Sequence, residues 1–330
     1  MISSQESKRP AGAEKISDQK PVMMSMTASI VEELTARFGG QVKRNVPLAP
    51  YTSARIGGPA DVMVTVHSSD ELAAVMSMLW EASSEYVLLG GGSNVLVSDA
   101  GVRGITVLNR AKAVRFEGGS HPKVSAESGA VFTNVANRCA SKGFSGLEWA
   151  ATVPGTIGGA VYGNAGAFGS DMAHSLIQAD VLTAHGREQW PAERLMYGYR
   201  TSILKRGEIR AVVLAAELGL KTATKEEVAV KIGEFSERRK TTQPPGASMG
   251  SMFKNPQGDA AGRLIEAAGL KGTRIGSAEV SPVHGNFFIN HGKSKASDVR
   301  ALIVLVQESV QEKFGVALEL EIELVGDWNV

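Results

Sequence analysis

An α+β fold is predicted for this chain of 330 residues. Three observations carry it. Strand-like and helical apolar spacings are interleaved, without the regular strand–helix alternation of a doubly wound parallel sheet. The middle of the chain, to about residue 220, is strand-rich. Its first glycine cluster, Gly90-Gly91-Gly92-Ser93-Asn94, follows the strand Tyr86–Leu89 and leaves into another strand, Asn94–Val97. In the dinucleotide fingerprint and the Walker loop the glycines instead open a helix. Three adjacent residues without Cβ let the backbone approach a ligand closely and can turn their N–H groups into one concavity. A phosphate or pyrophosphate suits such a loop, so a nucleotide cofactor held outside a Rossmann unit is expected.

The other elements follow in order. Val31, Leu34 and Phe38 share one face of a helix expected over Ala28–Phe38. After Gly57-Gly58-Pro59 comes a strand over Ala60–Val66, then a Ser68/Glu71 capping box opening a helix with Leu72, Val75, Met76 and Leu79 inward. Gly104–Asn109 reads as a strand and Phe132–Lys142 as a helix whose buried face carries Val131, Val135, Ala136 and Cys139. Lys225–Lys240 is a further helix, and Pro244-Pro245-Gly246 marks a domain boundary. Beyond it stand a helix near Ala260–Ala268, strands around Val283–Asn290, a helix Ser297–Phe314 stopped by Gly315, and a strand Leu318–Val325. No fixed-period repeat is visible.

Charge and composition narrow the function. Lys and Arg number 35 against 34 Asp and Glu, a formal net charge of +1, so no broad field gathers nucleic acid or an anionic membrane. A pocket for a small anion needs only two or three cations. One cysteine, Cys139, excludes an intrachain disulfide and a cysteine-built zinc site. No apolar run approaches the length of a membrane span. The polar start, Met1–Ser25, lacks a secretory core and cleavage site. A cytoplasmic protein with a disordered extension over residues 1–26 is the expectation.

A second small-residue stretch runs from Val153-Pro154-Gly155-Thr156-Ile157-Gly158-Gly159-Ala160 into Tyr162-Gly163-Asn164-Ala165-Gly166-Ala167-Phe168-Gly169. Such density gives little core volume and suits a backbone lying flat against a large ligand. Pro154 makes the loop rigid. The two stretches are expected to line opposite ends of one extended cofactor.

Gly90–Val97, Pro154–Ala160, Asn164–Gly169, Tyr199-Arg200-Thr201-Ser202, Gly250-Ser251-Met252-Phe253-Lys254-Asn255-Pro256 and Leu318–Gly326 together resemble the UDP-N-acetylenolpyruvoylglucosamine reductases, in order, from about Ala28 to Gly326. The resemblance implies an FAD-binding fold of the vanillyl-alcohol oxidase type. Two α+β subdomains (27–110 and 111–240) would hold the flavin, and a C-terminal α+β domain (241–326) would bind substrate and return a strand to the active site, with a tail at 327–330. It also implies NADPH as reductant, the enolpyruvyl ether of UDP-N-acetylglucosamine as substrate and UDP-N-acetylmuramate, a peptidoglycan precursor, as product. No nucleic acid or membrane partner is implied, and a monomer is the default.

What the resemblance implies about roles is specific. Hydride reaches C3 of the enolpyruvyl group from N5 of the reduced FAD, charge spreads onto the adjoining carboxylate, and C2 needs one proton. Ser251 matches the family's proton donor, Arg200 the arginine and Glu321 the glutamate that activate the substrate carboxylate. A guanidinium holds a carboxylate through two parallel bonds. A glutamate beside that carboxylate would carry a raised pKa. Nothing in the alternation of Leu318–Leu324 separates Glu321 from Glu319 or Glu323. Cofactor contacts fall on Gly90, Gly91, Gly92, Ser93, Asn94, Pro154, Gly155, Thr156, Gly158, Gly159, Ala160, Asn164 and Gly166. Substrate contacts fall on Tyr199, Arg200, Lys254, Asn255 and a non-catalytic His284, with Lys240 and Gln243 as weaker candidates; no metal is expected.

The chain departs from the family pattern at Gly163, where a methionine is usual, and at Thr152-Val153, where Gly-Ile is usual. The short distance from Arg200 to Ser251 fits the subtype without a tyrosine-bearing lid. Another flavoenzyme of the same fold, a lactone or sugar-acid oxidase, would share both glycine loops but has no use for Arg200, Ser251 and Glu321. Nor does any His or Cys for covalent flavin attachment stand beside Gly90–Asn94. A non-catalytic flavin or nucleotide module would have no reason to keep those three residues.

Overall fold

A computed structural model describes residues 19–328, with side chains from residue 29 onward. Most of the expected 1–26 extension lies outside the described residues. Helix α1 is longer than its apolar spacing predicts, running Gln19–Phe38. Pro21 falls in its first turn, where a backbone N–H has no intrahelical partner to lose.

The first unit contains β1 (Val42–Pro47), β2 (Pro59–Val66), α2 (Ser69–Glu81), β3 (Tyr86–Leu89), β4 (Val95–Val97) and β5 (Val102–Asn109). Four of these strands form a sheet in the order β1-β2-β5-β3, antiparallel at β1/β2 and parallel at β2/β5 and β5/β3. One face packs on α2 through Leu72, Val75, Met76 and Leu79, each inaccessible to solvent. Burying each such side chain stabilises the fold by roughly 2 kcal/mol. Ser68 caps α2 by accepting from the Glu71 N–H, but Glu71 reaches back to the N–H of His67, so only half the expected capping box forms.

The second unit is built from β6 (Val114–Glu117), β7 (Lys123–Glu127), α3 (Phe132–Ser141), α4 (Ile157–Gly163), β8 (Leu176–Thr183), β9 (Gly186–Pro191), β10 (Val212–Gly219) and α5 (Lys225–Thr242). Its five strands make an antiparallel sheet ordered β9-β8-β10-β7-β6. Phe132, Trp149 and Trp190 anchor its core. Leu182, Val212 and Leu214 of this sheet enter the core of the first unit and join the two. Cys139 is fully buried as expected and its thiol is pushed up to about 12 by burial, whereas Val131 is 45 % exposed because it precedes α3.

After α5 the chain passes Pro244 and Pro245 into α6 (Ala261–Ala267), β11 (Ala278–Val280), β12 (Phe288–Asn290), α7 (Ala296–Phe314) and β13 (Glu323–Val325). Gly315, at φ +69°, ends α7. Only the last three residues of the expected 283–290 strand are strand, because Ser281 Oγ accepts from the N–H groups of Val283 and His284 and folds 281–287 into a turn. Strand β13 is likewise shorter than Leu318–Val325. Leu320 bridges Phe253 and the Glu321 N–H donates to Met252, after which β13 changes partner and pairs in parallel with β4. This exchange brings the C-terminal segment back to the exit of the first glycine loop.

Candidate active site

A cavity of about 970 Å³ is lined by both glycine segments, the end of α5, the 200–213 segment, Gly250-Ser251 and β13. The two glycine segments adjoin each other, rather than standing at opposite ends of a ligand. A Cβ on Gly90 would lie 2.5 Å from Thr156 Oγ1, and one on Gly91 would lie 3.1 Å from the Gly155 Cα. Gly92 is also constrained by backbone: its φ is +61°, and a Cβ would stand 2.1 Å from the Tyr51 carbonyl oxygen. Packing within the chain therefore constrains these positions before any ligand does, most tightly at Gly92. Past Thr156 the second segment is not a flat loop but α4, whose Gly158 packs on Ser128.

Two features leave room for a diphosphate-bridged cofactor. The N–H groups of Gly91, Gly92, Ser93 and Asn94 donate to no carbonyl among the described residues. Such a row of consecutive donors suits an anion. Gly159 lines the cavity, and a Cβ there would meet only Thr156 Oγ1, at 3.7 Å, so its absence leaves space on the cavity side. Arg110 fixes the loop entrance by donating to the Gly90 carbonyl at 2.8 Å. Five cations line the cavity (Arg200, Lys205, Arg210, Arg238 and Arg239) against two carboxylates, Glu321 and Glu323. The cavity is thus cationic although the chain is nearly neutral.

Arg200 sits at the tip of a tight hairpin, where Gly198 and Thr201 exchange backbone hydrogen bonds of 3.1 and 3.2 Å. Its φ of +56° falls in the left-handed region, an uncommon conformation for a residue with a Cβ. The guanidinium Nε is 3.0 Å from Glu321 Oε1 but makes no aligned hydrogen bond, so the contact is an ion pair that leaves the donor direction free. Burial pushes the Glu321 carboxyl above the ordinary glutamate value, opposed by the charges of Arg200, Lys205 and Lys254. A strict two-residue alternation would give Glu319, Glu321 and Glu323 one common environment. Instead the Glu321 side chain is 16 % exposed while Leu324 is 39 % exposed, a consequence of the partner exchange before β13.

Ser251 lines the same cavity, held by its bridge to Phe287 and preceded by Gly250 at φ +79°. Pro154, Gly155, Thr156, Ala160 and Gly166 are also in the lining, as is Gln243. The other expected contacts fall elsewhere. Asn164 supports the hairpin from behind, donating to the Gly198 carbonyl at 3.0 Å and accepting from the Ala173 N–H at 3.0 Å. Asn255 Oδ1 accepts from the Ala261 N–H and so caps α6, and Lys254 is paired with Glu319 at 2.7 Å. His284 accepts from the Asn286 N–H at 3.1 Å, with its ring edge against Gly262. Tyr199 is 56 % exposed and neither packs in the core nor lines the cavity. Lys240 pairs with Glu237. Sequence reasoning missed Lys205, Arg210, Arg238 and Arg239, which carry no periodicity or motif of their own; Lys205 lies just beyond the Tyr199-Arg200-Thr201-Ser202 segment.

The fold and cavity define a flavoprotein: the family described as FAD binding domain matches residues 60–190. Residues 241–325 match the family described as UDP-N-acetylenolpyruvoylglucosamine reductase, C-terminal domain. The UDP-N-acetylenolpyruvoylglucosamine reductase of Chloroflexus aggregans is 41 % identical over 290 residues, covering 86 % of this chain and 97 % of that protein. That of Bacillus subtilis is 39 % identical over 301 residues, covering 90 % and 98 %. A crystal structure of the Thermus caldophilus reductase superposes with a TM-score of 0.74 at 36 % identity, covering 86 % of this chain and 98 % of that one. The chain belongs to the UDP-N-acetylenolpyruvoylglucosamine reductase family, with the α+β FAD-binding fold expected from its sequence.

Proposed function

We propose that this protein is an NADPH-dependent flavoenzyme that reduces the enolpyruvyl ether of UDP-N-acetylglucosamine to UDP-N-acetylmuramate for peptidoglycan synthesis. The observation that carries the reading is the meeting of Arg200, Ser251 and Glu321 on one cationic cavity with both glycine segments. When bound and reduced by NADPH, FAD would supply the hydride that C3 needs. Gly91–Asn94 and the wall from Pro154 to Ala160, with Gly166 beyond it, would hold that cofactor through unpaired N–H groups and open space.

Arg200 receives the substrate carboxylate and stabilises the negative charge that spreads onto it as C3 is reduced. Its free donor direction suits that acceptor. Glu321 keeps the guanidinium in place and, with its raised pKa, tolerates a second carboxylate nearby. Ser251 transfers its hydroxyl proton to C2, where carbanion character makes a weak acid sufficient. The wall cations Arg210, Arg238 and Arg239 favour the UDP diphosphate. No helix among the described residues is long and apolar enough to cross a membrane. A cytoplasmic monomer is the setting we propose.

The purified protein should be yellow. NADPH added without oxygen should bleach it, and the enolpyruvyl substrate should restore the colour before air is admitted. A colourless protein that takes up no FAD, or a bleached one that only air restores, overturns the reading.

A further inference from the structure

Glu321 is held at its main chain more firmly than at its carboxylate. Its carbonyl accepts from Asn94 Nδ2 at 3.0 Å and from Lys205 Nζ at 3.2 Å. The same ammonium pairs with Glu323 Oε1 at 3.0 Å. Asn94 completes the clamp by accepting the Glu323 N–H at its own carbonyl, 2.9 Å away. Lys205 is itself braced. Ser202 Oγ accepts from the Lys205 N–H at 3.2 Å and donates to the Tyr162 carbonyl of α4 at 2.6 Å. The Lys205 side chain is only 13 % exposed, so its charge acts in a poorly hydrated setting.

We propose that Lys205 is a positioning residue for the substrate-reducing step: it bridges Glu321 and Glu323 and thereby locks the C-terminal segment against the hairpin that presents Arg200. The proposal rests on the activity assigned above. Without the ammonium the segment 321–323 keeps only Asn94 as its anchor at that carbonyl, and the Arg200–Glu321 contact loses its fixed separation. Displacements of about an ångström at a reacting centre cost on the order of 100-fold in rate. Three cations face Glu321: Arg200 from the hairpin, Lys205 from the turn after it, and Lys254 from the segment beyond Ser251. Glu319 and Glu323, on its own segment, are engaged by Lys254 and Lys205. Removing the Lys205 charge therefore makes the Glu321 carboxylate harder to ionise.

The test compares Lys205→Met and Lys205→Arg with the wild-type holoenzyme in anaerobic stopped flow. In Lys205→Met, NADPH should reduce the flavin within about threefold of the wild-type rate, while reoxidation by the enolpyruvyl substrate slows about 100-fold through kcat rather than KM. Lys205→Arg, which can still bridge both partners, should recover most of that loss. A readout independent of turnover is the carboxyl carbon titration of Glu321 by NMR, assigned by its disappearance in Glu321→Gln. It should move to higher pH in Lys205→Met and stay in place in Lys205→Arg. Equal slowing of both half-reactions, or an unmoved Glu321 titration, overturns the proposal. Should Lys205→Met not fold, Glu323→Gln removes one arm of the bridge and should slow the same half-reaction about tenfold; no change there is also fatal. A wild-type enzyme that never reoxidises with the enolpyruvyl substrate would sink the assigned activity, whereas the carboxyl titration judges Lys205 separately.

Discussion

The two ends of the cavity are built on opposite principles. The glycine wall is made largely of backbone, with Gly90 fitted against the Thr156 side chain and Gly91 against the Gly155 backbone, where a Cβ would stand 2.5 and 3.1 Å from its neighbour. The Arg200 end is made of side chains from three distant segments, one of them on a left-handed residue and another on a half-exchanged strand. A ligand wall needs shape, and shape is most rigid where two backbones touch. A reacting centre needs charge at defined points, and here it includes a conformation that lowers stability locally. Changes to the wall should therefore cost the fold and the cofactor together, whereas changes at the other end should cost chemistry and leave the cofactor bound.

Ser251→Ala gives the largest expected separation. Loss of a proton donor costs on the order of 10³-fold. That loss should appear in reoxidation by substrate, with FAD content and NADPH-driven bleaching near wild type. Equal loss in both half-reactions would contradict the proton-donor role and blur the distinction between the ends. Gly92→Ala is the converse experiment. A Cβ 2.1 Å from a carbonyl oxygen at φ +61° forces the loop to move. About 3 kcal/mol of stability should be lost, seen in urea unfolding, together with the yellow colour. A stable, fully flavinated Gly92→Ala protein would show that the wall is not rigid.

How far each end was legible in the sequence follows the same division. Tyr86–Leu89, the glycine loop and its exit into a strand were readable because all of their determinants are adjacent in the chain. The fit of one glycine segment into the other was not, since it depends on the packing of α4 against Ser128 and the first unit. Glu321 could be singled out only by resemblance: Glu319, Glu321 and Glu323 are equivalent under a two-residue period. They become different where the segment leaves Phe253 for β4, a tertiary event with no local signal. The same limit hid Lys205, whose partners Glu321 and Glu323 lie more than a hundred residues away. Asn164, placed among the cofactor contacts by resemblance, shows a tertiary use of the same kind, its side-chain amide donating to the Gly198 carbonyl.

The hairpin offers a smaller test of whether the reacting end carries strain. Arg200→Ala and Arg200→Gly remove the same guanidinium and leave Glu321 without the same partner, so both should abolish substrate-dependent reoxidation. They differ at the backbone. Glycine accepts φ +56° freely, whereas alanine pays the left-handed penalty. Arg200→Gly should therefore be the more stable of the two by about 1 kcal/mol in urea unfolding. Equal stabilities would mean that the hairpin relaxes once the ion pair is gone.

The smallest effect is the pH dependence of Glu321. Burial raises its pKa in the folded chain above the unfolded value of about 4.3. The native state then holds the Glu321 proton more tightly than the unfolded state, so its contribution to stability is fully present below the unfolded value and is lost as pH rises through the raised one. Groups held low, among them Glu148 and Asp99, slope the other way but are common to wild type and variant. The stability of wild type minus that of Glu321→Gln, measured by urea midpoints from pH 4 upward, should consequently fall with pH and level off once Glu321 is ionised in both states. Exposing Arg200 to a neutral partner shifts the whole curve but not its slope, because the guanidinium does not titrate in this range. A flat difference would mean that the three cations around Glu321 cancel its burial, and the two ends of the cavity would then differ in architecture but not in the energetic cost of their charges.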